Sequence, residues 1–152
     1  MNTDVKGSFP STFGSETLDQ MVNRLNQTSD PKRRYEYVLW LAKKLSRLSP
    51  EVQQKSIQVK GCVSQVFVFC KMIDGRLYWE GDSDAPITRG LLSLLINGLT
   101  NLTPEEVLSI DPRFIEATGL HSSLTPSRAN GFLNILLTMK NIAKQYISSK
   151  DS

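Results

Sequence analysis

The chain has few residues of the kinds that build disulfide frameworks or metal centres. Two cysteines, Cys62 and Cys70, and one histidine, His121, occur among its 152 residues. If the segment between the cysteines is extended, a rise of about 3.3 Å per residue separates them by roughly 26 Å, whereas a disulfide needs Cα atoms within ~7 Å. We therefore expect no disulfide framework. The lone histidine lies in a loop-like segment without a partner for a catalytic dyad, so we expect it to be solvated.

Long apolar runs are also missing. No stretch approaches the ~18 consecutive apolar residues of a transmembrane helix. The first residues show neither the apolar core of a secretory signal nor an arginine-rich transit pattern. The sequence thus predicts a cytoplasmic protein without membrane contact.

The net charge of the chain is small. The 18 lysines and arginines against 15 acidic residues give a formal net charge of +3. No dense basic run is interleaved with aromatic residues, so a nucleic-acid partner is not expected. A chain of this length is expected to form one domain that folds without disulfides or metal.

The organisation along the chain follows from turn residues and apolar periodicity. Residues 1–14 are rich in Ser, Thr, Gly and Pro, which predicts a flexible N-terminal tail, and residues 15–148 are assigned to a single domain. Helical spacing and Asp-Pro or Thr-Pro starts predict helices at 17–27, 31–48 and 89–99, and further helices that begin near 103, 111 and 125.

The helical period is lost in the middle of the chain, where residues 65–73 form a strand-like run that is apolar on both faces. Strands are predicted at 57–59, 65–73 and 76–80, and Asp74-Gly75 between the last two is a strong hairpin signal. The sequence therefore predicts an α+β fold, with a small three-stranded antiparallel sheet packed against several helices.

Cys62 is the most informative residue for function. It follows Gly61, and the polar residues around it do not suit an apolar core. A neighbouring Lys60 favours the thiolate, which is the nucleophilic form. The alternative is a small buried hydrophobe, the usual state of a free cysteine. That alternative is predicted for Cys70, which has the side-chain parity of the apolar residues Val66 and Val68.

Three motifs together resemble the SufE family. They are Gly61-Cys62-x-Ser64-Gln65-Val66, Gly81-Asp82-Ser83-Asp84-Ala85 and Leu124-Thr125-Pro126-Ser127-Arg128, and the similarity runs from about residue 17 to 146. The resemblance implies a fold like that of IscU-type scaffolds. It also implies that Cys62 accepts persulfide sulfur from a SufS-like cysteine desulfurase, stimulates that enzyme and passes the sulfur to a SufBCD-like iron–sulfur assembly complex. The implied cofactor, pyridoxal phosphate, belongs to the desulfurase, and none is expected in this chain.

The same resemblance suggests supporting roles. Gly61 and Ser64 belong to the cysteine loop, and Asp82 and Asp84 either support that loop or face a partner, although acids before a helix also stabilise its N-terminus. Arg128 falls in a first helical turn, where the macrodipole opposes a cation by about 0.3–1 kcal/mol. A contact to a partner carboxylate, or to Asp82 or Asp84, would explain its position.

Departures from the family pattern leave some points open. Ile57 stands where the family often has Asn, which leaves the hydrogen bonding of the loop undefined, and Phe67 replaces a common Trp. An IscU-like scaffold would need about four ligands, mostly cysteines, and a thiol redox protein would need a resolving cysteine near Cys62. A sulfur acceptor and desulfurase activator is favoured over an independent enzyme, and the choice of desulfurase remains open.

Overall fold

The secondary structure of residues 9–151 alternates helices with one small sheet. The structure is a computed structural model that describes these residues, and the side chains of residues 9–148. The strands are β1 (Ile57–Gln58), β2 (Val66–Ile73) and β3 (Arg76–Ser83). The α-helices are α1 (Glu16–Leu25), α2 (Pro31–Lys44), α3 (Pro50–Lys55), α4 (Pro86–Leu99), α5 (Pro104–Leu108), α6 (Phe114–Ala117) and α7 (Pro126–Asp151).

Helix starts follow the capping residues in the sequence. The Asp30 side chain accepts a hydrogen bond from the backbone of Lys32 before α2, and Thr103 and Glu106 form the capping box of α5. Two predictions need correction. The second helix ends at Lys44 and not near residue 48, because Leu45 is extended, and α3 was not predicted because its six residues bury no side chain and so show no apolar periodicity.

The three strands form an antiparallel sheet in the order β1-β2-β3. The predicted hairpin is confirmed, since Asp74 and Gly75 both have positive φ angles, 52° and 78°. Strand β3 continues past its predicted end because Gly81 lets the strand approach α4: a Cβ at this position would lie 2.9 Å from the Leu92 side chain. The predicted α+β class is confirmed.

Helix α4 is the centre of the hydrophobic core. Nearly all of its residues are buried, and it packs on β3 and against α1, α2 and α7. Its Gly90 meets α2 so closely that a Cβ there would lie 2.1 Å from the carbonyl oxygen of Val38. Helix α7 contributes Phe132, Ile135, Leu136, Met139, Ile142 and Ala143 to the same core. Among the helices of residues 9–151, none combines the length and the apolar character needed to cross a membrane.

The predicted flexible tail, residues 1–14, extends too far along the chain, because its last residues belong to the fold. Phe13 is buried and packs edge-on against Phe114, with ring centroids 6.4 Å apart. Its carbonyl accepts a hydrogen bond from the amide of Asp111 at 2.9 Å. Residues 9–14 therefore belong to the folded part, since a buried aromatic ring stabilises their position. Residues 1–8 of the predicted tail lie outside the described residues.

Candidate functional site

Cys62 lies in a seven-residue loop, residues 59–65, that joins β1 to β2. The amide of Val59 donates to the carbonyl of Val66 at 2.8 Å and closes the base of this loop. Val59 itself is buried, whereas Val63 at the loop tip is 87% exposed. The loop is thus fixed at its base and presents an apolar side chain to solvent beside the cysteine.

Gly61 and Asn134 connect the loop to α7. Gly61 has a φ of 79°, in the left-handed region that glycine adopts without strain. Its carbonyl accepts a hydrogen bond from Nδ2 of Asn134 at 2.9 Å, and a Cβ at residue 61 would lie 2.5 Å from that nitrogen. Asn134 therefore supplies a hydrogen bond to the loop. Ile57, which stands at the family's usual Asn position, is 43% exposed in β1.

The sulfur of Cys62 rests against α7. The thiol donates to the carbonyl of Gly131 with a sulfur–oxygen distance of 3.7 Å. Gly131 lies directly against the sulfur, since a Cβ at this position would be in van der Waals contact with it at 3.5 Å. A small pocket here is lined by Cys62, Val63, Ser64, Thr88, Ser127, Arg128 and Gly131. Cys62 is consequently half-buried, and less exposed than its polar sequence neighbours indicated.

Burial controls the protonation of Cys62. Desolvation raises the pKa of its thiol above the ordinary value of 9.0. The expected lowering of this pKa by Lys60 does not outweigh burial, so that expectation was wrong. At neutral pH the resting group is the thiol, and sulfur chemistry on Cys62 requires loss of its proton.

Asp84 and Ser64 support the second half of the loop. Oδ1 of Asp84 accepts a hydrogen bond from the amide of Gln65 at 3.0 Å, and the Asp84 amide donates to the Gln65 carbonyl at 3.4 Å. The hydroxyl oxygens of Ser64 and Thr88 lie 3.4 Å apart. The structure thus brings the Asp84 segment to the cysteine loop, in a supporting position.

Asp82 belongs to a different set of contacts. Its Oδ1 lies 2.9 Å from Nε of Arg89 and 3.2 Å from Nη1 of Arg47. Arg89 also donates to the carbonyl of Leu45 at 2.6 Å. Asp82 therefore ties the end of β3 to the segment after α2, and it lies one residue before Ser83 and two before Asp84.

Arg128 lies beside Cys62, in the first turn of α7. Thr125 accepts a hydrogen bond from its amide at 3.3 Å, as the predicted capping position requires. No acidic side chain within the described part of the chain pairs with Arg128, so the alternative that placed it against Asp82 or Asp84 is wrong. Arg128 instead lines the pocket beside Cys62.

Sequence reasoning missed several residues of this site, which lie on α4 and α7. They are Thr88, Gly131 and Asn134, whereas Ser127 belongs to the third motif but had no role predicted for it. Ser127, Gly131 and Asn134 recur on α7 at helical spacing, beside the apolar face that was recognised. This spacing was the available signal, but nothing in the sequence shows which loop these residues meet.

Cys70 and His121 lie outside this pocket. Cys70 is half-buried at the edge of the core, in a groove beside Tyr146, whose hydroxyl donates to the Cys70 carbonyl at 3.1 Å. Burial raises the pKa of Cys70 to about 12. His121 is exposed in a short 3₁₀ turn. Among the described residues, no three of His, Cys, Asp and Glu gather in a way that could hold a metal.

Fold and site together define a class: an α+β protein that presents one half-buried thiol on an anchored loop between two strands. Residues 19–143 match the family described as "SufE: Fe-S metabolism associated domain". This match covers most of the 152 residues, and the chain belongs to the SufE family.

Relatives from several organisms agree with this assignment. An uncharacterized SufE-like protein of Synechocystis sp. is 49% identical over 83% of this chain and 79% of its own length. "SufE-like protein 1, chloroplastic/mitochondrial" of Arabidopsis thaliana is 36% identical over 90% of this chain, and "Cysteine desulfuration protein SufE" of Plasmodium falciparum is 31% identical over 82%. This chain spans 39% and 52% of the length of those two relatives.

A solved structure shares the fold. The solution structure of a hypothetical protein from Thermus thermophilus superposes with a TM-score of 0.76 at 24% sequence identity, over 88% of this chain and 98% of that one. At this identity the likeness supports the architecture alone.

Proposed function

We propose that this protein accepts persulfide sulfur on Cys62 from a cysteine desulfurase and passes it on to iron–sulfur cluster assembly. Membership of the SufE family gives the coarser role, sulfur transfer in Fe–S metabolism. The name of the Plasmodium relatives, cysteine desulfuration protein, supports the desulfurase as the source of the sulfur.

The observation that carries the proposal is the mounting of the thiol. The Cys62 loop is held at Gly61 by Asn134 and at Gln65 by Asp84, while Cys62 itself is only partly buried. A reactive group that must meet a donor inside another protein benefits from such positioning, because alignment of reactants removes part of the entropic barrier.

The proposed step is an exchange at sulfur. The Cys62 thiolate attacks the terminal sulfur of the donor's cysteine persulfide, and the bond between the donor's two sulfur atoms breaks. The donor cysteine leaves as a thiolate and takes up the proton that Cys62 lost. The products are a persulfide on Cys62 and a free donor thiol, with no net oxidation.

Neighbouring residues have distinct parts in this proposal. Arg128 lies in the pocket lining, and no acidic side chain among the described residues pairs with it, which suits it to a carboxylate of the donor protein or to the anionic persulfide. Val63 adds an exposed apolar contact at the loop tip. The step itself requires no cofactor in this chain, and the pyridoxal phosphate that releases sulfur from free cysteine belongs to the desulfurase.

Mass spectrometry of the intact protein tests the proposal. After incubation with candidate cysteine desulfurases and free cysteine, the wild type and Cys70→Ala should gain the mass of added sulfur, and Cys62→Ser should not. Cysteine-dependent sulfide release measured in parallel identifies the desulfurase that the protein stimulates. Equal sulfur adducts on Cys62→Ser, or no adduct with any desulfurase on the wild type, would exclude Cys62 as the acceptor.

A further inference from the structure

The outer face of α2 carries two stacked aromatic side chains with a cationic side chain at each end. We call these four residues the α2 row: Arg24, Tyr37, Trp40 and Lys44. The rings of Tyr37 and Trp40 stack with centroids 5.7 Å apart and planes inclined by 21°. The guanidinium of Arg24, which comes from α1, lies 5.9 Å from the Tyr37 centroid. The ammonium of Lys44 lies 4.8 Å from the Trp40 centroid. The four side chains thus form one continuous surface feature.

The row leaves apolar aromatic surface in contact with water, which is unfavourable and does not contribute to packing of the core. Trp40 keeps 46% of its surface accessible, although a large aromatic side chain gains most when it is buried. Arg24 and Lys44 are exposed as well. Exposed tryptophan next to fixed cations is characteristic of the energetic centres of protein interfaces.

The row lies in the most basic part of the chain. Residues 31–47 contain six of the 18 lysines and arginines and one of the 15 acids, Glu36. One of the six, Arg34, donates to the backbone carbonyls of Leu25 and Gly119 and so serves the fold. Arg33 and Arg47 have acidic neighbours in the chain, Asp30 and Asp82. The remaining positive charge is chiefly that of the lysines, which include Lys44 of the row, and it is complementary to an acidic partner surface.

The stacking geometry favours an acidic protein over a nucleic acid. The two rings stack on each other, and a cation lies over each of them. Nucleic-acid bases would need a free ring face on which to stack. Carboxylates, in contrast, can contact Arg24 and Lys44 in the positions that they already occupy.

A chain of contacts leads from the end of the row to the cysteine loop. Lys44 precedes Leu45, whose carbonyl accepts from Arg89, and Arg89 pairs with Asp82 of β3. Two residues on, Asp84 holds the second half of the cysteine loop through the Gln65 amide. A specific protein interface covers about 800 Å² on each partner, far more than one short loop offers. A protein that docks at Cys62 can therefore extend onto the C-terminal end of α2.

We propose that the α2 row docks an acidic surface of the sulfur-donating desulfurase, next to the site where sulfur reaches Cys62. This inference rests on the proposed function, because the partner is the same protein. The row adds a second region of contact, which increases the affinity for the desulfurase and does not take part in the chemistry at Cys62.

The test separates binding from sulfur transfer. Binding of the desulfurase is measured by calorimetry in a Cys62→Ser background, at low and at moderate salt. We expect Kd to rise about ten-fold for Arg24→Glu combined with Lys44→Glu, several-fold for Trp40→Ala, and less than about two-fold for the matched control Lys144→Glu on α7. The wild type should lose affinity as salt increases, and the double variant should lose much less.

Sulfur transfer in the Cys62-containing proteins completes the test. At saturating desulfurase, the row variants should reach the wild-type yield of sulfur on Cys62. Row variants with the same Kd as Lys144→Glu, or with wild-type Kd and a reduced saturated yield, would overturn the inference. The inference would also be overturned if a labelled single-stranded oligonucleotide bound tightly to the wild type and not to the row variants. It would be overturned likewise if the protein formed a homodimer that the row variants dissociated.

The two proposals fail in different ways. If the wild type binds the desulfurase through the row but Cys62 gains no sulfur, the proposed function falls and the docking surface stands. If Cys62 gains sulfur and the row variants bind as the wild type does, only the docking surface falls. If no desulfurase binds the wild type, both fall.

Discussion

At the scale of single residues, Gly61 determines how the Cys62 loop meets α7. It turns the backbone so that its carbonyl meets Asn134. Any L-residue at Gly61 would be strained at a φ of 79° and would displace the Asn134 side chain. The position of the loop that carries the thiol therefore depends on the absence of a side chain at residue 61.

Alanine substitutions at two glycines, Gly61 and Gly75, separate the effect of backbone strain from the effect of the lost contact to Asn134. Gly61→Ala and Gly75→Ala both place alanine at a positive φ near 80°, but no atom lies within 4 Å of the added methyl at Gly75. Each should lose about 1–2 kcal/mol from backbone strain, and Gly61→Ala about 1 kcal/mol more because the Asn134 hydrogen bond is disrupted. Thermal unfolding measures the difference, and sulfur transfer to Cys62 should fall only in Gly61→Ala.

Equal stability losses with equal sulfur transfer in the two variants would contradict this account. Such a result would mean that Asn134 moves aside without effect on the loop. Asn134→Ala then provides the independent check, because it removes the same hydrogen bond without backbone strain.

At the scale of elements, α4 and α7 both begin with proline and both carry an arginine in the first turn. The macrodipole opposes a cation at each position. Arg89 of α4 is compensated by Asp82 and the Leu45 carbonyl, with only 13% and 14% of the two charged side chains exposed. Arg128 of α7 has no acidic partner among the described residues. The same local feature thus serves the fold in one helix and remains available in the other.

These two arginines should respond differently to truncation. Arg89→Ala leaves the Asp82 carboxylate largely buried with only the exposed Arg47 nearby, so we expect a loss of about 3 kcal/mol of folding free energy. Arg128→Ala should change stability by less than about 0.5 kcal/mol, while it weakens stimulation of the desulfurase.

Thermal midpoints and a desulfurase titration of both variants provide the measurement. A strongly destabilised Arg128→Ala would show that this side chain supports the fold. An Arg128→Ala protein that matches the wild type in both measurements would make it an ordinary surface residue.

At the scale of the whole molecule, the fold distinguishes two thiols of the same intrinsic chemistry. Burial raises the pKa of both cysteines, moderately for Cys62 and to about 12 for Cys70. At pH 9 a thiol of pKa 12 is about a thousandth thiolate. Only Cys62 should therefore behave as a nucleophile in the folded protein.

Alkylation with iodoacetamide checks this difference. Because the pKa of Cys62 lies above the ordinary thiol value, its rate in the native protein should continue to increase with pH through pH 9. Cys70 should react slowly under the same conditions and as fast as Cys62 once denaturant unfolds the chain. The modified residue is identified by peptide mass. Comparable native rates for both cysteines would show that burial does not separate them.

Much of the architecture could be predicted because it is encoded locally. Asp74-Gly75 required a tight turn, Asp30-Pro31 and Thr103-Pro104 required helix starts, and a run of β-branched and aromatic residues before the turn indicated a strand. The errors fell where local signals are weak. Helix α3 buries nothing, so no apolar stripe marks it, and Phe13 in a loop-like composition gave no sign of the ring of Phe114 that it meets.

The sequence by itself determined the α+β class and the family, and it predicted Cys62 as the reactive cysteine, because each depends on residues that are neighbours along the chain. Only the tertiary structure decided which partners those residues have. Asn134 lies 73 residues from Gly61, and Arg24 reaches Tyr37 from another helix. The tertiary structure also pairs Asp82 with Arg89 and not with Arg128, and it buries Cys62 enough to raise the pKa of its thiol. Hydrogen bonds, ion pairs and desolvation depend on distances in space, and those distances exist only once α4 has brought the helices and the sheet together.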